Sequence, residues 1–182
     1  MLAVPLPGAE EALANATYEA LLWSLSRPGQ LRSLPGTDPA QAHALIIAAL
    51  LDRECSVFCA DPLLMPLVAR TGAMLTELPR AGFAFLGGHA ELAMLDELAC
   101  GSDLYPDDGA TALLEVRHNG GQGLRLSGPG IDGAITVQID GLPAGFWEKR
   151  RELIRYPMGF ELYLIDGLQL MGLPRSTTVE VL

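Results

Sequence analysis

The chain has 182 residues, 49% of them hydrophobic, with 22 Asp and Glu against 12 Lys and Arg and a formal charge of −10. That apolar content excludes a mainly disordered chain, and the longest uninterrupted apolar run, at 44–51, is far short of the roughly 20 residues a membrane-spanning helix needs. The negative charge repels polyanions, so neither nucleic acid nor an anionic membrane is expected as a partner; no basic residue precedes Arg27, so no secretory leader is expected and the chain reads as cytoplasmic.

In chain order, residues 1–8, which include Pro5 and Pro7, read as an N-terminal arm. Residues 10–25 place Leu13, Ala16, Ala20, Leu21 and Leu25 at helical spacing, with Glu10 and Glu11 at the favourable end of the helix dipole and Arg27–Pro28–Gly29 as the stop. Asp38–Pro39 and Asp61–Pro62 are helix starts, each an acidic cap before a residue with no N–H to leave unpaired; they predict helices reaching about 51 and about 71. Residues 55–60 and 82–87 read as short buried strands, and 89–98 as a helix packing through Leu92, Leu95 and Leu98.

The second half turns to strand patterns. Residues 111–117 and 124–127 read as a hairpin about Asn119–Gly120–Gly121, followed by a strand at 135–139 and a helix at 143–154. A further hairpin joins 161–165 and 168–171 through Asp166–Gly167, and 179–182 is a terminal strand. Alternating elements early and hairpins late predict an α/β fold: a single domain over 1–182, its mixed β-sheet carrying helices on both faces.

Few residues point to chemistry. Cys55, Cys59 and Cys100 make no disulfide framework; four apart on a strand, the first two lie about 13 Å from each other, too far to grip one ion. His43, His89 and His118 fall in different elements, so no metal site is predicted. Gly128–Pro129–Gly130 sits between strands, and Pro129 removes a donor, so it reads as a turn and not a phosphate cradle. The single lysine, Lys149, lies in the charged run 148–152, which reads as solvated, and no cofactor is predicted.

What remains is a set of candidate ligand or interface residues: Arg27, Asp52, Glu54, Arg175 and Thr177. Arginine beside hydroxyls makes a fork for phosphate. The plainer reading has Arg27 and Arg175 pairing with acids such as Asp52 or Glu54 to fix loops. Arg150, Arg151 and Arg155 form a basic helix end, favourable to the dipole and open to an acidic partner. No catalytic residue is assigned.

At these same places the sequence resembles a family. Ser24–Leu25–Ser26–Arg27–Pro28–Gly29, Leu50–Leu51–Asp52–Arg53–Glu54, Tyr105–Pro106–Asp107–Asp108–Gly109–Ala110–Thr111, Leu126–Ser127–Gly128–Pro129–Gly130–Ile131, Tyr156–Pro157–Met158–Gly159–Phe160–Glu161 and Leu173–Pro174–Arg175–Ser176–Thr177–Thr178–Val179–Glu180 look like segments of PhnH, a subunit of the bacterial carbon–phosphorus lyase core complex. The order and spacing match from about Tyr18 onward. Glu161 stands where the family commonly has Asp, and Ser176 where it commonly has Thr.

The resemblance implies a non-catalytic or accessory subunit in organic phosphonate catabolism, working with the G, I and J subunits and forming a homodimer when isolated. The complex transfers a phosphonate to the ribose of ATP with release of adenine, and a separate iron–sulfur radical subunit later breaks the C–P bond. The implied fold is that of pyridoxal-phosphate-dependent transferases without the cofactor site. The alternative is a small nucleotide- or phosphonate-binding enzyme domain acting through Arg27 and Arg175.

Overall fold

A computed structural model describes residues 8–182, so the predicted arm at 1–8 lies, but for Gly8, outside the described residues. The chain opens with α1 (Ala9–Ser26), whose first turn carries Glu10 and Glu11, and continues into β1 (Arg32–Ser33). Both Asp–Pro starts are real. Asp38 accepts from the Ala40 N–H at 3.0 Å and Asp61 from the Leu63 N–H at 2.9 Å; each begins a tight 3-10 turn that leads into α2 (Ala42–Leu50) and α3 (Met65–Thr71). The proline removes one donor that the helix start would leave unpaired, and the carboxylate satisfies another.

Strands β2 (Ser56–Cys59), β3 (Met74–Leu75), β4 (Phe83–Gly87), β5 (Thr111–Glu115), β8 (Glu161–Asp166) and β9 (Gln169–Leu173) join β1 in a seven-stranded sheet of order β1-β9-β8-β5-β4-β2-β3. Within it, β3, β2, β4, β5 and β8 run parallel, and β9 runs against its neighbours β8 and β1. A second sheet, of order β10-β6-β7, is built from β6 (Arg117–Ser127), β7 (Ile135–Asp140) and β10 (Thr178–Val181).

Side chains alternate across the large sheet, and both faces are covered. Phe85, Leu113, Tyr163 and Ile165 pack with Leu21 of α1, Ile46 of α2 and Val68 of α3. Leu86, Leu114, Leu162 and Leu164 face the other way. There they meet Leu95 of α4 (Leu92–Glu97), Phe146 and Trp147 of α5 (Phe146–Leu153), and Leu124 and Leu126 of the small sheet. Burial on both sides is why the central strands read as near-continuous apolar runs. The expected α/β architecture, a mixed sheet with helices on both faces, is the one observed.

Several local expectations need correction. Residues 111–117 and 124–127 form no hairpin: β5 pairs with β4 and β8, while β6 pairs with β7 and β10. The strand runs straight through Asn119–Gly120–Gly121, with positive φ at Asn119 (64°) and Gly121 (75°) absorbed by a register break between His118 and Gln122. Left-handed residues suit a bulge as well as a turn. Asp166 pairs with Gln169, so the second hairpin is real but its loop is Gly167–Leu168, one residue later than expected.

Two predicted helices are shorter than their patterns. Helix α4 begins at Leu92, which is exposed, while Leu95 and Leu98 are buried as expected. The left-handed Gly145 (φ 84°) prevents α5 from starting at Pro143. Strands β1 and β3 were not foreseen, because a two-residue edge strand is too short to show a period.

Candidate functional site

The segment between β9 and β10 carries Arg175, and this side chain is a junction. Its Nε lies 2.9 Å from Glu161 Oε1, and its backbone N–H donates to Glu161 Oε2 at 2.6 Å. Its guanidinium also donates to the Pro106 and Gly159 carbonyls. Gly109 is packed so closely here that a Cβ would meet the Gly159 carbonyl and come within 2.8 Å of the Arg175 guanidinium. Only glycine fits that approach. Further along, Gly128 lies against the Ser176 carbonyl, and Gly130 against the Ser26 carbonyl and Pro28.

Segments far apart in sequence therefore converge here: 105–111 and 156–161 on Arg175 itself, 126–131 on its neighbour Ser176, and 24–29 on Gly130. The segment at 50–54 does not join them. It precedes β2, whereas Glu161 begins β8, and β4 and β5 stand between those strands. Three strand spacings are about 14 Å. The expected pairing of Arg175 with Asp52 or Glu54 is therefore replaced by a pairing with Glu161.

Asp52 is exposed and serves its own turn. Its carboxylate accepts from the Glu54 N–H at 2.9 Å and from the Cys55 thiol at 3.4 Å, and the Glu54 N–H above all holds its pKa below the usual carboxylate value. Glu54 is exposed beside it. Arg27 is exposed in the turn that ends α1, within the segment that abuts Gly130. The structure thus gathers Arg175 and Thr177, sets Arg27 on the neighbouring turn, and leaves Asp52 and Glu54 remote.

The residue whose role sequence reasoning missed is Arg150, read there only as part of a basic helix end. Expected in a solvated run, it is only 3% exposed and reaches across to donate to the Thr177 carbonyl at 3.2 Å and the Pro174 carbonyl at 3.0 Å. Among the described residues no carboxylate lies within 4 Å of it. Burial pulls its pKa down to about 10, opposed in part by the charge of Glu161. Its Nε and the Thr177 Oγ1 are both buried without a hydrogen-bond partner among the described residues. The signal was present in the spacing: Phe146, Trp147, Arg150 and Ile154 fall on one helical stripe.

Arg150 and Thr177 line a cavity of about 220 Å³, together with Arg151, Tyr156, Arg175 and Ser176. Chemically this is a cationic, hydroxyl-lined recess on a protein of net charge −10. A second feature lies at the opposite, C-terminal edge of the parallel strands, where open α/β sheets commonly hold ligands. There His43 Nδ1 sits 3.6 Å from Glu115 Oε1 beside a crevice of about 260 Å³ that Asp166 also lines. Burial lowers the His43 pKa, with Glu115 and then Asp61 opposing the shift.

The remaining candidates are quieter. Burial raises the pKa of all three thiols, that of Cys59 to about 11, which leaves them protonated and poor as ligands or nucleophiles. Lys149 Nζ pairs with Asp96 at 2.6 Å. Among the described residues no group of three or more His, Cys, Asp or Glu is placed to hold a metal ion, and no helix is long and apolar enough to cross a membrane.

Comparison with known proteins gives a consistent result. The model of a family described as bacterial phosphonate metabolism protein (PhnH) matches residues 9–180. A protein of Stutzerimonas stutzeri named as a C-P lyase subunit, HtxG, is 32% identical over 173 residues, covering 92% of this chain and 86% of its own. A protein of Rhizobium meliloti (strain 1021) named alpha-D-ribose 1-methylphosphonate 5-triphosphate synthase subunit PhnH is 30% identical over 184 residues, covering 92% of this chain and 90% of its own.

Proposed function

The chain belongs to the PhnH family of bacterial phosphonate metabolism proteins, and from that premise we propose that it is an accessory subunit of a carbon–phosphorus lyase assembly in organic phosphonate catabolism. In this role the assembly needs the chain in order to transfer a phosphonate to the ribose of ATP, releasing adenine and forming alpha-D-ribose 1-methylphosphonate 5-triphosphate. The observation that carries the reading is the end-to-end likeness to a named subunit of that synthase, over 92% of this chain and 90% of the relative.

Two features of the molecule support a role in assembly. Helix α1 turns Tyr18, Leu22 and Trp23 outward, at 51%, 51% and 43% exposure, beside the turn bearing Arg27. Outward aromatic and leucine side chains are what the core of a protein interface is made from. The charge of −10 disfavours polyanionic partners at long range.

We propose further details that the likeness by itself leaves open. The partners are the G, I and J subunits, the isolated chain is a homodimer, the compartment is the cytoplasm, residues 1–182 form one domain, and its architecture is that of the pyridoxal-phosphate-dependent transferases. The alternative, a small nucleotide- or phosphonate-binding enzyme working through Arg27 and Arg175, ranks second because Glu161 already neutralises Arg175. Mixing the chain with its partner subunits tests the main reading. It predicts co-elution in a stoichiometric assembly, and failure to associate at micromolar concentration overturns it.

A further inference from the structure

We propose that the cavity between α5 and the 174–178 segment is a binding site for one tetrahedral oxyanion, a phosphoryl or phosphonyl head group. Arg150 and Arg151 hold it, with the hydroxyls of Ser176 and Thr177 as further partners. The inference stands on the cavity itself and does not depend on membership of an assembly.

Its basis is a buried charge with no carboxylate in contact, offset only in part by the more distant Glu161. A buried guanidinium normally has a carboxylate partner, because an isolated buried charge is strongly destabilising. This protein has 22 acidic residues, yet among the described residues none lies within 4 Å of Arg150, and no carboxylate lines the cavity. Arg150 spends two donors on the Thr177 and Pro174 carbonyls, which are neutral, and its Nε has no partner. The buried Thr177 Oγ1 is unpartnered as well. An anion in the recess supplies the missing countercharge and accepts from the guanidinium hydrogens that Arg150 has left, while the Arg150 Nε and Thr177 Oγ1, both closed off from solvent, are reached only as the anion settles between them.

Size and field select the class of anion. The cavity, about 220 Å³, falls below the roughly 300–1,000 Å³ of pockets that enclose drug-sized ligands, so it suits a head group and not a whole nucleotide. The C-terminal end of α5 lies at the same place, since Ile154 also lines the cavity, and contributes a partial charge of about −0.5. Two full positive charges, on Arg150 and the exposed Arg151, outweigh it. Arg175 adds a donor edge at the rim, its charge already balanced by Glu161.

The test is calorimetric and phosphorus-NMR titration of the full chain at low salt with inorganic phosphate, methylphosphonate, tripolyphosphate and acetate. We expect saturable binding of phosphate and methylphosphonate, with acetate at least tenfold weaker. Comparable affinity for tripolyphosphate identifies the head group as the end of a larger ligand, whereas a tenfold preference for the small anions identifies free ones. Arg151→Ala, an exposed change, and Thr177→Val, close to isosteric, should each weaken phosphate binding about tenfold while the circular dichroism spectrum stays unchanged. Lack of saturable binding, equal binding of acetate, or unaltered affinity in both variants overturns the proposal.

Discussion

Glu161 holds Arg175 with both carboxylate oxygens, one against the guanidinium Nε at 2.9 Å and the other accepting the Arg175 backbone N–H at 2.6 Å. The pair ties the first residue of β8 to the segment that follows β9, and through the Arg175 guanidinium it also secures the Pro106 and Gly159 carbonyls. One ion pair thus fixes the 175–179 segment, which lines the arginine cavity, to the start of β8 and to the loops at Pro106 and Gly159.

Glu161→Gln keeps the shape of this carboxylate and removes its charge, leaving a largely buried guanidinium without its countercharge. Hydrogen bonds to charged groups contribute about 1.5–3 kcal/mol, so a loss in that range is expected, read as a lower urea midpoint with an unchanged m-value. Arg175→Lys should also lower the midpoint, because an ammonium cannot present a planar fork to Glu161 and Pro106 together.

Gly172→Ala should be among the most destabilising single-methyl additions. A Cβ at Gly172, on β9, would stand 2.6 Å from the Leu25 backbone nitrogen, so α1 rests directly on that strand. Overpacking costs about 1–3 kcal/mol where side chains can shift; here the obstruction is backbone, and the upper end of that range is expected. Thermal denaturation of the variant, with loss of protection in amide exchange concentrated in α1, checks both the size and the place of the effect.

Acid should weaken the fold before any carboxylate titrates. Burial lowers the pKa of His43, which faces Glu115 and Asp61, and of His118, which faces Asp166, so the unfolded chain binds more protons than the folded one below the ordinary histidine value. Above about pH 7.5 both forms are neutral and stability is level; as pH falls through about 6.5 stability declines, then levels once the folded forms protonate. A Tm profile from pH 8 to 5 should show this step, and the double variant His43→Gln, His118→Gln should flatten it.

The parts legible in the sequence are those decided locally. Asp38–Pro39 and Asp61–Pro62 mark helix starts because cap and proline act on the next few residues, and β2, β4 and β8 announce themselves as apolar runs because both their faces are buried. Asn119–Gly121 was ambiguous because left-handed backbone serves a bulge as readily as a turn. What decided it was β5, drawn into the large sheet by partners distant in sequence. Arg175 and Thr177 were legible as candidates. The partner Glu161 was not, since the choice between it and Asp52 depends on strand order. Arg150 was masked by its charged neighbours, although its place on the stripe with Phe146 and Trp147 was visible.

Adenine release from ATP and methylphosphonate, measured with the purified partner subunits in the presence and absence of this chain, tests the account most directly. Release is expected only when the chain is present, with none from the chain alone. Turnover by the isolated chain, abolished by changing one of its own side chains such as Arg175→Ala, would contradict it.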